Sequence, residues 1–292
     1  MRLTMHTKPT IAERCVVFLE HNRLLNLLLL ILYIFVILHG HDFFVQLSVK
    51  AMNSVSLPVY NQVVMLCIVT SSALLVLYTL YKLKANPNQW KSRLLFLAGC
   101  LLYLSIHVKV LFEMNIEIIH IVEYIVLSLL LFPFTRSISA TLIFALPIMI
   151  GDELNQYLVL YPGYNKYFEW SDIVMDIIGS GTLLLMLNIA GLQLRRRKNV
   201  FWYRPELILF VLFGLCMFIG WLSGTLASTT AETQSNTLFV CNRLPQPEQF
   251  WQIHAFTGAR YHVLWPIEGA VLIFLLCLYF MVYDEIVQEV TE

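Results

Sequence analysis

Eight stretches of this chain are each apolar for close to 20 residues, and that repetition limits the fold more than any other feature. They cover roughly 23–40, 61–81, 94–112, 116–134, 138–160, 170–191, 205–226 and 263–283. A helix needs about 20 mostly apolar residues to cross the hydrocarbon layer, where each backbone N–H and C=O must find its partner inside the segment. The first and last runs are short and draw on flanking residues. Composition agrees: 59% of the residues are hydrophobic and 13% charged, whereas soluble domains carry about 25% charged residues. The pattern predicts an all-α, polytopic transmembrane helix bundle of about eight spans. Pro147 lies inside the fifth run, removes a backbone hydrogen bond and predicts a kink there. The first run begins only after Arg23, with no small-residue cleavage site behind it, so it reads as a retained span rather than a cleaved signal.

Lys and Arg set the expected orientation. With the N-terminus inside, the inner segments hold fourteen of the nineteen, among them Arg14, Lys82, Lys84, Arg136 and the run Arg195-Arg196-Arg197-Lys198. The outer segments hold Lys50, Lys109, Lys166, Arg243 and Arg260. This bias places both the N- and C-termini in the cytoplasm. Net charge is zero, which offers no field for nucleic acid. Of the six cysteines, four lie in apolar runs, where a thiol behaves as a small hydrophobe. No Cys-x-x-Cys or Cys/His spacing points to a disulfide framework or a structural zinc. The chain divides into 1–89 with two spans, 90–192 with four, and 193–292 with two spans around a polar loop, 227–262.

Carboxylates at membrane depth cost about 2.5–3.5 kcal/mol each on insertion scales, yet this chain keeps several together. In the predicted topology the fifth span ends outside with Asp152, Glu153 and Gln156. The sixth starts outside with Asp172 and Asp176, and the fourth starts outside with Glu117, His120, Glu123 and Tyr124. At 1.5 Å rise per residue, three spans place their unusual residues at one depth in the outer part of the membrane. Glu117, His120 and Tyr124 share a helix face, as do Asp152 with Gln156, and Asp172 with Asp176 and Gly179. A small residue at 179 allows close approach of a neighbouring helix. Glu153 points about 100° from Asp152, the angular step of a 3.6-residue turn, so the two share a pocket only if it is wide; Glu123 is offset from His120 in the same way. Carboxylate, imidazole, amide and phenol together can hold a divalent metal and an activated water. They can equally relay protons or act as an acid/base pair, or form a polar network that fixes helix packing. The residues alone leave all three open.

Two segments resemble the VanZ-like family of bacterial membrane proteins. His120-Ile-Val-Glu-Tyr124 is similar to that family's His–three residues–Tyr signature entering an apolar helix. Asp152-Glu153-Leu-Asn-Gln156, Pro162-Gly163, Asp172 and Gly179 are similar to its Asp-Glu-x-x-Gln, Pro-Gly and Asp…Gly pattern. The match covers roughly 90–190. The chain departs from the pattern at three positions: Glu117 where the family usually has Lys, Tyr164 where it has Arg, and Asp176 where it has Asn. The loop after Gln156 is also longer. Two basic residues are thus replaced and acids added; Lys109 and Lys166 are the nearby cations that can substitute. The resemblance implies a bacterial plasma-membrane, multi-pass protein of the cell envelope, with a link to glycopeptide (teicoplanin) resistance, and it implies no particular reaction.

Other features have plainer readings. Tyr157, Tyr161, Tyr164, Tyr167, Phe168 and Trp170 read as an interfacial aromatic belt. Arg195–Lys198 reads as a topology determinant. Gly220-Trp-Leu-Ser-Gly224 is a helix-packing pattern of low specificity. Glu268 reads as a surface partner of Arg260, or as one more acid of the outer pocket. His39 and His41 read as interfacial. His254 and His262 faintly resemble the His/Asp sites of ceramidase-like membrane hydrolases, without the His-x-x-x-His spacing. The leading expectation is an outward pocket of His120, Glu123, Tyr124, Asp152, Glu153, Gln156, Asp172 and Asp176 that recognises a membrane lipid or lipid-linked envelope intermediate. The alternatives are a membrane-embedded lipid hydrolase, with or without a metal, and a proton-coupled transporter. No residue is assigned as a metal ligand, no cofactor is named, and the oligomeric state is left open.

Overall fold

A computed structural model describes residues 10–85, 90–112, 117–163, 165–195, 204–254 and 258–289; Tyr164 and Arg196–Lys198 lie outside the described residues. Among those described, eight helices are long and apolar enough to cross a membrane, and the protein is an all-α polytopic bundle. A short first helix, α1 (Ile11–His21), precedes α2 (Arg23–Val55), α3 (Leu57–Ala85), α4 (Trp90–Val110), α5 (Ile118–Thr135), α6 (Ile138–Asn155), α7 (Trp170–Ile189), α8 (Pro205–Leu222) and α9 (Pro266–Glu289). The first run draws on its flanking residues, as expected: α2 continues to Val55, through His39, His41 and Asp42. His39-Gly40-His41-Asp42 is one short polar stretch with apolar residues on both sides, and the helix runs through it, with His41 buried. Pro147 sits inside α6 without ending it, and its ring is on an exposed side.

Helix α7 is the axis of the bundle. Its apolar window is 89% buried, against 6% in α3 and 11% in α8, so α3 and α8 are the lipid-facing members. Helices α3, α4, α5, α6 and α9 all pack on α7. The reason is local: α7 carries Gly179-Ser-Gly181-Thr at its middle. A Cβ at Gly179 would stand 2.9 Å from Ile121 of α5, and one at Gly181 would clash with the Phe280 ring of α9, 2.2 Å away. The missing side chains admit the neighbouring helices, as expected for Gly179.

The bundle has two unlike ends. At one, α1 lies across the turn between α5 and α6. Arg136, in a left-handed conformation at the end of α5 (φ 49°), donates to Glu13 at 2.8 Å and to Glu20 at 2.6 Å. Arg195 also pairs with Glu20, at 2.7 Å, and Arg204 pairs with Glu285. Asp284 of α9 is fully buried beside the start of α6, where it accepts from Ser139 N at 2.9 Å and from the hydroxyls of Ser137 and Ser139. A carboxylate there meets unpaired N–H groups and the positive end of the helix dipole. Arg136 and Arg195, counted above only for topology, thus also clamp α1 to the bundle.

The other end is capped by the polar loop, which is not featureless. Strand β1 (Leu226–Thr229) pairs in parallel with β2 (Phe239–Asn242), and β3 (Gln252–Ile253) pairs antiparallel with β4 (Arg260–Tyr261). Gly220 and Gly224 do not join two helices. The first faces Leu226, and the second adopts a left-handed φ of 73° just beyond α8, against Gln234. They shape the turn from membrane helix into cap.

Candidate functional site

The residues expected at one depth are brought together at the capped end. Helix α5 supplies His120, Glu123 and Tyr124; α6 supplies Asp152 and Glu153; α7 supplies Asp172 and Asp176. Gln156 opens a single π-helical turn, Gln156–Leu160, that continues α6. Such turns insert an extra residue and are frequent at functional sites. None of these eight residues is more than 7% exposed, so the cluster is closed to bulk water.

The contacts run across three helices. Tyr124 Oη donates to Asp152 Oδ2 at 3.1 Å. Gln156 Nε2 reaches both Asp152 Oδ2 and Glu153 Oε1, each at 3.2 Å. One amide therefore joins the two adjacent acids, and the 100° between them is spanned without a wide pocket. The His120 ring stands between two acids, with Nδ1 4.0 Å from Glu153 Oε1 and Nε2 3.5 Å from Asp172 Oδ2. Asp176 lies within electrostatic range of Asp172, Asp152 and Glu123, which brings Glu123 into the same group. Glu117 is half-buried at the start of α5.

Several buried polar atoms in the cluster have no hydrogen-bond partner: His120 Nδ1, Glu123 Oε2, Asp152 Oδ1 and both oxygens of Asp176. Native interiors rarely leave such atoms unpaired, because each one costs about 1–3 kcal/mol or more when charged. Lys109 and Lys166, the nearby cations, are both exposed. The centre is thus rich in acceptors, and its one cationic candidate is histidine.

A further member comes from α2. His41 is buried and its ring lies 5.2 Å from that of His120, while Nδ1 is unpartnered. It is not the interfacial residue that its position at the end of the first run suggested; His39, two residues away, is exposed and stacks on Phe35. The signal was available as alternation: two residues apart on a helix means opposite faces. Tyr33 and Asn155 fix α2 to the site, Tyr33 donating to the Glu123 carbonyl at 3.0 Å and Asn155 to the Leu38 carbonyl at 2.7 Å. The site therefore draws on a helix outside 90–192.

The aromatic residues beside the site do not form a lipid-facing belt. Tyr157, Phe168 and Trp170 are buried and pack edge-to-face with one another and with Phe239 of β2. They are a core between cap and bundle rather than a belt facing lipid. Arg243 seals it, lying 4.0 Å over the Tyr157 ring and donating to the carbonyls of Tyr157 and Asn165. Tyr161 is half-buried and donates to Asp42 at 3.3 Å; burial, then the Asp42 charge, pushes its phenol up to about 12. Glu268 pairs with His262 rather than Arg260, and also accepts from Trp265 N. His262 stacks on Phe250, and neither it nor His254 joins the cluster.

Chemically, the arrangement offers an imidazole between carboxylates, a phenol donor and an amide, all held by packed helices. It can accept a cation or a hydroxyl-bearing group, or move a proton. No family model, no curated protein and no solved structure matches this chain.

Proposed function

We propose that this chain is a VanZ-like, multi-pass protein of the bacterial plasma membrane. Its buried acidic/His centre, in the outer half of the bilayer, recognises the polar head of a lipid or lipid-linked cell-wall intermediate. The observation that carries this reading is the set of unpartnered carboxylate oxygens on Glu123, Asp152 and Asp176. A network built only to hold helices together satisfies its own polar atoms; this one keeps acceptors spare for a donor-rich group. The family assignment rests on the motif residues His120, Tyr124, Asp152, Glu153, Gln156, Asp172 and Gly179, and the outward placement rests on the Lys/Arg count. The test is cellular. Asp152→Asn and Asp172→Asn should leave the protein folded and in the membrane yet change sensitivity to glycopeptides or to envelope stress. Unchanged sensitivity in both variants overturns the proposal.

One observation favours a second reading, a membrane-embedded hydrolase. His120 is flanked by Glu153 and Asp172, an arrangement in which an imidazole can take a proton from water while a carboxylate orients it. That reading requires turnover of a lipid by the purified protein, abolished in His120→Ala.

A further inference from the structure

We propose that His120, Glu153 and Asp172 hold one divalent transition-metal ion, zinc or manganese, and that His41 supports it from α2. The inference rests on the reading of this cluster as the functional centre and names what the centre binds first.

The geometry comes first. One nitrogen of His120 and one oxygen each of Glu153 and Asp172 lie within 4.8 Å of one another, and all three residues are buried. The His120–Asp172 and His120–Glu153 separations of 3.5 and 4.0 Å are longer than good hydrogen bonds. Ligands bound at 2.0–2.2 Å to a tetrahedral ion stand about 3.3–3.5 Å apart. The two separations are to different nitrogens of the ring, Nδ1 to Glu153 and Nε2 to Asp172, and an ion takes only one of them. The three donor atoms, one per residue and within 4.8 Å of one another, close to that spacing by side-chain rotation.

The unpaired atoms are the second, independent observation. His120 Nδ1 and both oxygens of Asp176 are unpartnered in residues at least 97% buried. Asp176 lies one helical turn below Asp172 on the same face of α7, so its free carboxylate faces the centre. His41 Nδ1 is likewise unpartnered, with its ring beside that of His120. Carboxylates gathered at this depth repel one another in a low dielectric, and a dication removes that repulsion.

The donor set selects the ion. An imidazole among carboxylates suits zinc or manganese better than magnesium or calcium, which prefer oxygen alone. Bound metal-site histidines also turn their second nitrogen toward a carboxylate, and ligating carboxylates are themselves hydrogen-bonded. Here Gln156 donates to Glu153 at 3.2 Å, the kind of outer contact that holds a ligating carboxylate in place. Such an ion would also supply the hydrolase reading with an activated water.

The experiment uses the full-length protein in detergent, stripped with a chelator, reloaded separately with Zn2+ and Mn2+, and desalted. Metal content is then measured by mass spectrometry and thermal stability by melting. Wild type should retain about one ion per chain of at least one metal, as for a closed protein site, and should melt at higher temperature when loaded. His120→Gln and Glu153→Gln should lose at least nine-tenths of the retained ion, and His41→Ala should weaken binding about 10–100-fold as an outer-shell change does. Tyr81→Phe, at an exposed ring on α3, should retain it fully. Wild type that retains neither metal above a buffer blank overturns the proposal, as does wild-type retention in both His120→Gln and Glu153→Gln. If those variants fail to fold, cobalt-loaded wild type decides. Visible absorption that zinc displaces supports the site, and its absence overturns it. The outcomes separate from those of the preceding test: metal bound with unchanged glycopeptide sensitivity sinks recognition alone, while altered sensitivity in a metal-free protein sinks the ion alone.

Discussion

Asp152 shows how the site is balanced residue by residue. One of its oxygens accepts from Tyr124 and Gln156, while the other has no partner. Tyr124→Phe removes one donor from a buried carboxylate and should cost about 1–3 kcal/mol, read as a lower melting temperature with helicity retained. The same residue scale governs Glu20 at the opposite end. Burial opposes its ionisation, but hydrogen bonds and charge from Arg136 and Arg195 prevail and hold its carboxyl below the ordinary 4.5. A lowered folded-state pKa means that the stabilisation is present above about 4.5, the ordinary glutamate range, and is lost as pH falls through the lower folded value. Acidification below that range should therefore loosen α1, seen as faster proteolysis or hydrogen exchange near residues 11–21. Glu20→Gln should remove this pH dependence.

Among the elements, α7 and α1 depend on quite different physics. Helix α7 is held by steric fit: Gly181 leaves the space that the Phe280 ring occupies. Gly181→Val should push α9 away and cost about 1–3 kcal/mol or more, the usual penalty of overpacking, whereas the same change at Gly214 meets nothing within 4 Å and should be mild. A melting experiment in one detergent compares the two. Helix α1 is held by charge. Arg136 is its hub, and Arg136→Ala leaves Glu13 buried without its guanidinium; breaking a buried pair costs about 3–5 kcal/mol. If the α1 region keeps its protection from proteolysis in this variant, the ionic clamp is not what holds it. The sequence hid α1 because its eleven residues are too few to span a membrane and their fixing partners are more than a hundred positions away.

For the whole molecule, the cap over the site ties chemistry to orientation. Cys241 of β2 is buried, and burial followed by the charge of Glu232 pushes its thiol up to about 11, so it is protonated and slow to react at neutral pH. Arg243→Ala removes the cation that joins the cap to Tyr157 and Asn165. In a background without the other cysteines, this variant should react with an impermeant maleimide several-fold faster than the parent, from outside intact cells. Labelling only after lysis would reverse the orientation deduced from Lys and Arg. The spans themselves were legible because lipid imposes one simple rule, about 20 apolar residues with all backbone bonds internal. The depth of the site was legible too, because rise per residue converts position into height. That His120, Asp152 and Asp172 meet was only implied, since height does not fix the direction in which a face points. Packing around α7 decided that, through Gly179 and Gly181. Packing also decided what height and pattern could not: that Gln156 joins two acids on different faces of its helix, that His41 turns inward while His39 turns out, and that Tyr157, Phe168 and Trp170 support a cap instead of meeting lipid. The sequence by itself determined an eight-span bundle with acids at one depth, because solvent transfer acts on each segment alone. Only the tertiary structure made those acids a single centre, because rotation and contact belong to pairs of helices distant in the chain.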